Sequence, residues 1–195
     1  MERMMTVYKI TDDLTKFQSV CSGPDEIATQ LGDFDYFERI LLQAVENKPL
    51  KDIWKLAEVE FEDVLTDNSV LPDISLWLRT YLVLSPRAYE ALNSCLSESG
   101  DFLPVKYQSE QWYLYTSLTF GKEDRQKCVE KISYGSPDGL EVLAFIDDDV
   151  KDKMIFKSRL EGASNLYCTE RFKAMCEQNQ LNGLVFSSNL TDPFS

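Results

Sequence analysis

The sequence predicts an α+β protein with a twisted, mainly antiparallel sheet and a few helices. The main observation is a unit of strand, capped helix, glycine and strand that occurs twice, in residues 81–107 and again in residues 165–187. Several other segments alternate apolar and polar residues over the length of a strand. We therefore expect two related strand-helix-strand units to build the core.

The first unit begins with an apolar strand, residues 81–84, followed by Ser85 and Pro86. Ser85 can accept a hydrogen bond from a free N–H group of the first helical turn, and Pro86 suits the first helical position because its missing N–H costs nothing there. Gly100 is a stop signal, and residues 102–107 are predicted to form the next strand. The helix between them shows one apolar face, formed by Ala88, Tyr89, Leu92, Cys95 and Leu96.

The second unit repeats this order near the end of the chain. Residues 165–168 lead into Thr169, a second predicted N-cap, and Glu170 suits the partial positive charge of a helix start. Gly183 follows the helix, and residues 184–187 are predicted to form the next strand. The apolar stripe of this helix consists of Phe172, Met175 and Cys176.

The part of the chain before the first unit contains one clear strand and two helical patterns. Residues 5–10 alternate and are rich in β-forming residues, so they predict a first strand. Asp25 and Glu26 can open a short helix after the break at residues 22–24. Apolar residues at positions 36, 37, 40, 41 and 44 predict a helix within residues 33–46.

Residues 57–64 alternate strictly and predict a single strand. A period of two places Val59 and Phe61 on one face and three carboxylates, Glu58, Glu60 and Glu62, on the other. One interpretation is a carboxylate ladder that meets a basic partner. The alternative is a solvated strand face, or an edge strand protected from aggregation by its charge.

Two hairpins are predicted after the first unit. Residues 102–107 are expected to pair with residues 112–115 across a short turn. Residues 128–134 and 140–146 are expected to pair across the loop 135–139, which is rich in turn-forming residues.

Three successive carboxylates, Asp147, Asp148 and Asp149, follow the second hairpin. They suggest a Ca²⁺ loop, but the EF-hand spacing with its central glycine and closing glutamate is absent from the sequence, which favours a solvated turn. They are the second candidate for contact with a basic partner.

The composition points to an acidic globular protein. The chain has 33 acidic and 20 basic residues, a net charge of -13 and no histidine. Such a surface repels nucleic-acid phosphates and anionic membranes and attracts basic partners, although acidity can also serve solubility alone. The five cysteines are scattered, without a C-x-x-C pair, and no apolar run resembles a signal peptide or a membrane span. We therefore expect a cytoplasmic protein with free thiols, no metal and no cofactor.

The residues that most enzymes use are missing. Without histidine, triads of the Ser-His-Asp and Cys-His type are excluded, and no nucleotide-binding glycine motif occurs. A pair of carboxylates could still serve a glycosidase-like site, but a chain this acidic always supplies such pairs. The sequence therefore predicts a protein without enzymatic activity.

The order and spacing of several motifs resemble a bacterial protein family called immunity protein 11. They are VLSPRAYEAL at residues 83–92, GDFLPV at 100–105, IF at 155–156, LYCTERFK at 166–173 and LNGLVF at 181–186. The resemblance covers most of the chain from about Pro49 onward. The motifs are fold determinants, so no functional residue is carried over from the family.

The resemblance implies that the chain binds a cognate toxin of a polymorphic toxin system inside the producing cell and neutralises it without catalysis. An acidic protein suits a basic toxin, for example a nuclease, because its carboxylates can occupy the groove that would hold phosphates. The alternative is an acidic regulatory module of a secretion or effector gene cluster. We expect a single domain over residues 1–195, with an N-terminal part at 1–50, the family-like region at 51–188 and a mobile tail at 189–195.

Overall fold

The computed structural model describes residues 5–192, and in that range the chain forms five helices and thirteen strands. The helices are α1 (Pro24–Leu31), α2 (Tyr36–Glu46), α3 (Pro86–Leu96), α4 (Asp147–Val150) and α5 (Glu170–Gln178). The strands are β1 (Val7–Asp12), β2 (Ser19–Val20), β3 (Ala57–Glu58), β4 (Phe61–Glu62), β5 (Ile74–Trp77), β6 (Tyr81–Leu84), β7 (Gly100–Tyr107), β8 (Glu110–Ser117), β9 (Val129–Ser133), β10 (Ser136–Val142), β11 (Ile155–Phe156), β12 (Tyr167–Thr169) and β13 (Leu184–Ser187). The predicted α+β class is confirmed.

The two predicted units share one topology. In the five-stranded sheet, ordered β3-β7-β8-β6-β5, strands β6 and β7 both pair antiparallel with β8, which lies between them. In the four-stranded sheet, ordered β11-β12-β1-β13, strands β12 and β13 both pair antiparallel with β1. Each unit is thus two parallel strands joined by a helix, with an antiparallel strand inserted between them. The first unit takes the strand that follows it, whereas the second takes the first strand of the chain.

Both faces of the five-stranded sheet are covered, so its central strands are buried on both sides. In β6, Leu82 and Leu84 join a core cluster with α3 and α5, while Tyr81 and Val83 join a second cluster with α1 and α2. This explains why every residue of β5 and β6 is buried and why all of them except Ser75 are apolar, instead of alternating.

The four-stranded sheet extends the first cluster and supports a third. Ile10 and Cys168 point into the cluster that holds α3 and α5. Phe156 and Tyr167 belong instead to a cluster with Phe145 and Val150. The cluster around α3 and α5 therefore receives side chains from both sheets.

The two sheets meet where β5 approaches the start of β13. The N–H of Ile74 donates to the carbonyl oxygen of Asn182 at 3.0 Å, and the N–H of Leu76 donates to the Asp12 carboxylate at 2.7 Å. Gly183 has a φ of 110°, and a Cβ atom there would lie 2.0 Å from the Ile74 carbonyl oxygen. A glycine is required at this junction both by its backbone angle and by the close approach.

The predicted helix caps differ in their outcome. The Ser85 hydroxyl oxygen accepts a hydrogen bond from the Ala88 N–H at 3.1 Å, which confirms the first cap. Thr169 precedes α5 as predicted, but its hydroxyl makes no capping bond and donates to the Lys153 carbonyl at 2.7 Å. Thr169 also ends strand β12, so its side chain is used to bond the neighbouring segment.

The single strand predicted at residues 57–64 is wrong. The segment forms two short strands in different sheets, because β3 pairs in parallel with β7 whereas β4 pairs antiparallel with β2. The predicted alternation of burial is nevertheless correct, with Val59 buried and Glu58, Glu60 and Glu62 exposed.

The second hairpin also differs from its prediction. The turn is centred on Tyr134 and Gly135, and β10 begins at Ser136, inside the loop predicted at 135–139. The first hairpin is confirmed, with β7 and β8 paired from Gly100 to Tyr107.

The part of the predicted tail that is described is bonded to the body of the protein. The Thr191 hydroxyl donates to the Glu141 carbonyl at 2.9 Å, and the Lys9 ammonium donates to the Asp192 carbonyl at 2.6 Å. Residues 193–195 of that tail lie outside the described residues. None of the helices in the described range is long and apolar enough to cross a membrane.

Candidate functional site

The three predicted glutamates lie on the surface where the chain passes from the five-stranded sheet to the small β2–β4 sheet. Glu58 ends β3, Glu60 lies between the two strands and Glu62 ends β4. All three are exposed, while Ala57 and Val59 are buried beneath them. The buried neighbours fix the backbone, so the carboxylates project from a supported segment.

The start of α1 brings two further carboxylates to this surface. Asp25 and Glu26 line the same shallow depression as Glu58 and Glu60. We call these four residues the acidic depression. In the sequence, Asp25 and Glu26 indicate only a helix start, because nothing local indicates that α1 packs beside β3.

Short hydrogen bonds hold the two sides of the depression together. The Gln30 side chain accepts from the Glu58 N–H at 2.6 Å and donates to the Glu58 carbonyl at 3.0 Å, which joins α1 to β3. The Ser22 hydroxyl accepts from the Glu60 N–H at 2.8 Å. At the start of α1, the Glu26 carboxylate accepts from the Gly23 N–H at 3.0 Å.

The acidic depression is poorly neutralised. Glu58 forms an ion pair with Lys106 at 3.5 Å, but both side chains are largely exposed and the pair is therefore weak. Within residues 5–192, neither Glu60 nor Glu62 forms an ion pair with a lysine or arginine. Like charges this close repel each other, and a cationic partner would relieve that repulsion.

The negative potential at this surface affects the pKa of the Cys21 thiol. Burial raises the pKa of its thiol, and the nearby carboxylates of Glu62, Glu60 and Glu26 raise it further. The thiolate is therefore disfavoured, which makes Cys21 a poor nucleophile. Glu62 lies at the margin of the acidic depression, close enough to Cys21 to act on it.

The second predicted group, Asp147 to Asp149, forms the first turn of the short helix α4. Its carboxylates have separate partners: Asp148 pairs with Lys151 at 2.9 Å, and Asp149 pairs with Lys153 and accepts from the Lys122 N–H. Partial burial opposes ionisation of Asp149, but these bonds hold its pKa below the usual range.

This group packs on a different core cluster from the glutamates. Val150 of α4 belongs to the cluster with Phe145 and Phe156, whereas Val59 belongs to the cluster beneath α1 and α2. In the part of the chain that the structure describes, no three carboxylate, thiol or imidazole groups come together so as to hold a metal ion. Asp148 and Asp149 thus have separate lysine partners, and contact of the three aspartates with a basic partner stays a prediction.

Two acidic side chains that the sequence did not single out have unusual pKa values. Burial raises the pKa of Asp12 to about 7, although the bond from the Leu76 N–H opposes the shift. Burial likewise raises the pKa of Glu161 to about 7, against hydrogen bonds from Asn165. Both side chains line surface grooves that share Arg79 and Asn165. No local pattern in the sequence predicts that these two side chains are partly buried.

A scan against models of known protein families finds no match to this chain, and no curated protein matches it. The resemblance to immunity protein 11 therefore remains a prediction from the sequence motifs.

Proposed function

We propose that this protein is a non-catalytic immunity protein that binds a basic protein toxin inside the producing cell and neutralises it. The observation that carries the proposal is the acidic depression, in which Asp25, Glu26, Glu58 and Glu60 share one surface. Poorly neutralised carboxylates on a supported backbone suit lysine and arginine side chains, and they accelerate association with a basic partner. The sequence motifs support the choice of a toxin as that partner.

The test begins by capturing the partner with tagged protein from the lysate of its own host, washed at low and then high salt. A single toxin retained near equal stoichiometry and released by salt is the expected result. A non-toxin partner would instead favour the alternative, a regulatory module of a secretion or effector cluster.

The captured toxin then allows a kinetic test of the two glutamates of the acidic depression together with the neighbouring Glu62. Reversing the charge of Glu58, Glu60 and Glu62 to lysine should slow association and flatten its dependence on salt, because electrostatic steering is lost. The matched control replaces three exposed glutamates on other strands by lysine and so changes the net charge by the same amount. These are Glu110, Glu130 and Glu141.

Equal effects of the two triple variants would show that only net charge matters and would refute the acidic depression as the contact surface. A third variant, Asp147→Lys with Asp148→Lys, examines the second predicted group in the same assay.

A further inference from the structure

Helix α2 and Phe34, which precedes it, carry an apolar stripe that the core covers only in part, at Phe37. The stripe consists of Phe34, Phe37, Leu41 and Val45, which follow one another at intervals of three and four residues. The exposed fractions of Phe34, Leu41 and Val45 are 63%, 44% and 57%. The rings of Phe34 and Phe37 stack with centroids 5.8 Å apart. We call these four residues the α2 stripe.

The apolar surface of α2 is larger than the part of the helix that packs on the core. The helix is anchored on the core by Ile40 and Ala44, which are buried, while Leu41 and Val45 are next to them in sequence and lie further round the helix. The predicted apolar face, which included positions 37 and 41, is therefore only partly buried. Contiguous exposed apolar surface of this kind is typical of a binding surface.

The helix presents this stripe on a fixed support. The Tyr81 hydroxyl donates to the Ile40 carbonyl at 2.6 Å. At the end of α2, the buried Lys157 ammonium donates to the Ala44 carbonyl at 2.9 Å and to the Asn47 side chain at 2.8 Å. A surface held in place before binding loses little conformational entropy when a partner docks.

The segment that carries the α2 stripe, residues 33–48, is acidic, and we call its exposed carboxylates the rim of the stripe. Four exposed carboxylates belong to the segment, namely Asp33, Asp35, Glu38 and Glu46. Its two cations, Arg39 and Lys48, already pair with Asp52 and Glu46 respectively, each at 2.9 Å. A partner therefore meets an apolar strip bordered by negative charge.

This charge pattern indicates which kind of partner can bind the α2 stripe. A second copy of the chain would bring the same acidic rim and another net charge of -13, so the two copies would repel each other. An amphipathic helix with an apolar face and flanking lysine or arginine complements both the stripe and its rim. We propose that the α2 stripe docks such a helix of the partner protein.

This inference rests on the proposed function only in taking the partner to be a basic protein. Helices α1 and α2 cover the same face of the five-stranded sheet and contact each other. The acidic depression would then accelerate the encounter, and the α2 stripe would supply the desolvated apolar contact that slows dissociation.

The test uses synthetic peptides of about 15 residues, long enough to form a helix on binding. One is a leucine/lysine peptide with an amphipathic order, the second has the same composition in scrambled order, and the third replaces lysine by glutamate. Affinity is measured by calorimetry, and the site is mapped by NMR shifts of backbone amides. We expect only the amphipathic leucine/lysine peptide to bind, with the largest shifts in residues 34–46.

Variants then separate the apolar contact from electrostatic attraction. Leu41→Ala with Val45→Ala should weaken binding about tenfold or more, because apolar anchors dominate such interfaces. The matched control is Val129→Ala with Ile132→Ala, which removes exposed apolar side chains from β9 and should leave the affinity unchanged. All four side chains are exposed, and circular dichroism checks that the variants remain folded.

Several results would overturn the proposal. The first is that the scrambled peptide binds as tightly as the amphipathic one, and the second is that no peptide binds at all. The third is that the largest NMR shifts fall outside α2. The fourth is that the protein self-associates in sedimentation and that Leu41→Arg abolishes this association. If the lysine variants of Glu58, Glu60 and Glu62 abolish binding while the Leu41 and Val45 variants do not, the α2 inference fails and the proposed function stands. The opposite pattern supports the α2 stripe and removes the acidic depression from the interface.

Discussion

Asp12 and Glu161 show how single residues can depart from the behaviour that the composition implies. The chain has no histidine, so no side chain with an ordinary pKa titrates between about pH 5 and 8. Burial moves the pKa values of Asp12 and Glu161 to about 7, into that empty range. The buried Lys157 lies just above it, because burial lowers its pKa to about 8.

We predict that the free energy of unfolding falls as the pH rises from about 5 to 7. A carboxyl group with a raised pKa in the folded state binds a proton that the unfolded state has already released, so the folded state loses stability as the pH passes through 7. Asp12→Asn and Glu161→Gln should each reduce the slope of the unfolding free energy against pH by the equivalent of about one bound proton. Urea unfolding at several pH values in that range measures the slope.

The double variant, Asp12→Asn with Glu161→Gln, should be nearly independent of pH in the same window. A control is Asp52→Asn, whose carboxylate pairs with Arg39 and has a lowered pKa, so it acts at more acidic pH. An unchanged slope in the double variant would contradict the assignment of these two groups.

At the scale of elements, the junction between β5 and β13 holds the two sheets at a fixed spacing. Gly183 adopts a backbone angle that other residues avoid, and the Ile74 carbonyl occupies the space of its missing side chain. Gly135 has a similar positive φ of 83° in the exposed β9–β10 turn, but no atom lies within 4 Å of a Cβ atom placed there. The two glycines thus separate backbone strain from steric conflict.

We predict that Gly183→Ala destabilises the protein much more than Gly135→Ala. The exposed glycine should cost about 1 kcal/mol, from the unfavourable angle alone. Gly183→Ala should cost about 3 kcal/mol or more, because the backbone of β5 must also move. Chemical denaturation measures both, and equal losses would show that the close approach is not constraining.

At the scale of the whole molecule, the core around α3 and α5 joins the two sheets. Ile10 comes from the first strand, Leu82 from the five-stranded sheet and Cys168 from the second unit, and all three are buried in this cluster. The tryptophans Trp77 and Trp112 lie on the opposite side of the five-stranded sheet, beneath α1 and α2. Optical and chemical probes therefore report on different layers of the fold.

We predict that these layers unfold together in one transition. Tryptophan fluorescence reports on the layer beneath α1 and α2, and pulse alkylation of Cys168 and Cys176, read by mass spectrometry, reports on the core around α3 and α5. Coincident urea midpoints are expected, because the sheet that carries both layers is continuous. Exposure of the two thiols at a clearly lower urea concentration would show that the second unit opens separately.

The candidate site was only partly predictable. Glu58, Glu60 and Glu62 were identified because a strand places alternate side chains on opposite faces. The addition of Asp25 and Glu26 could not be predicted, since it depends on the packing of α1 against β3. Of the α2 stripe, Phe37 and Leu41 belong to the predicted apolar period, but the exposure of the stripe does not follow from it, because a period indicates which side chains share a face and not what covers that face.

By itself the sequence determined the local structure of this protein: the Ser85 cap, the hairpin of β7 and β8, the two strand-helix-strand units and the acidic surface. These follow from backbone chemistry and side-chain period within a few residues. The tertiary structure alone decided that β1 lies between β12 and β13, that residues 57–62 serve two sheets, and that Asp12 and Glu161 are partly buried. The reason is that pairing and burial between distant segments depend on which surfaces fit together, and no local pattern records that choice.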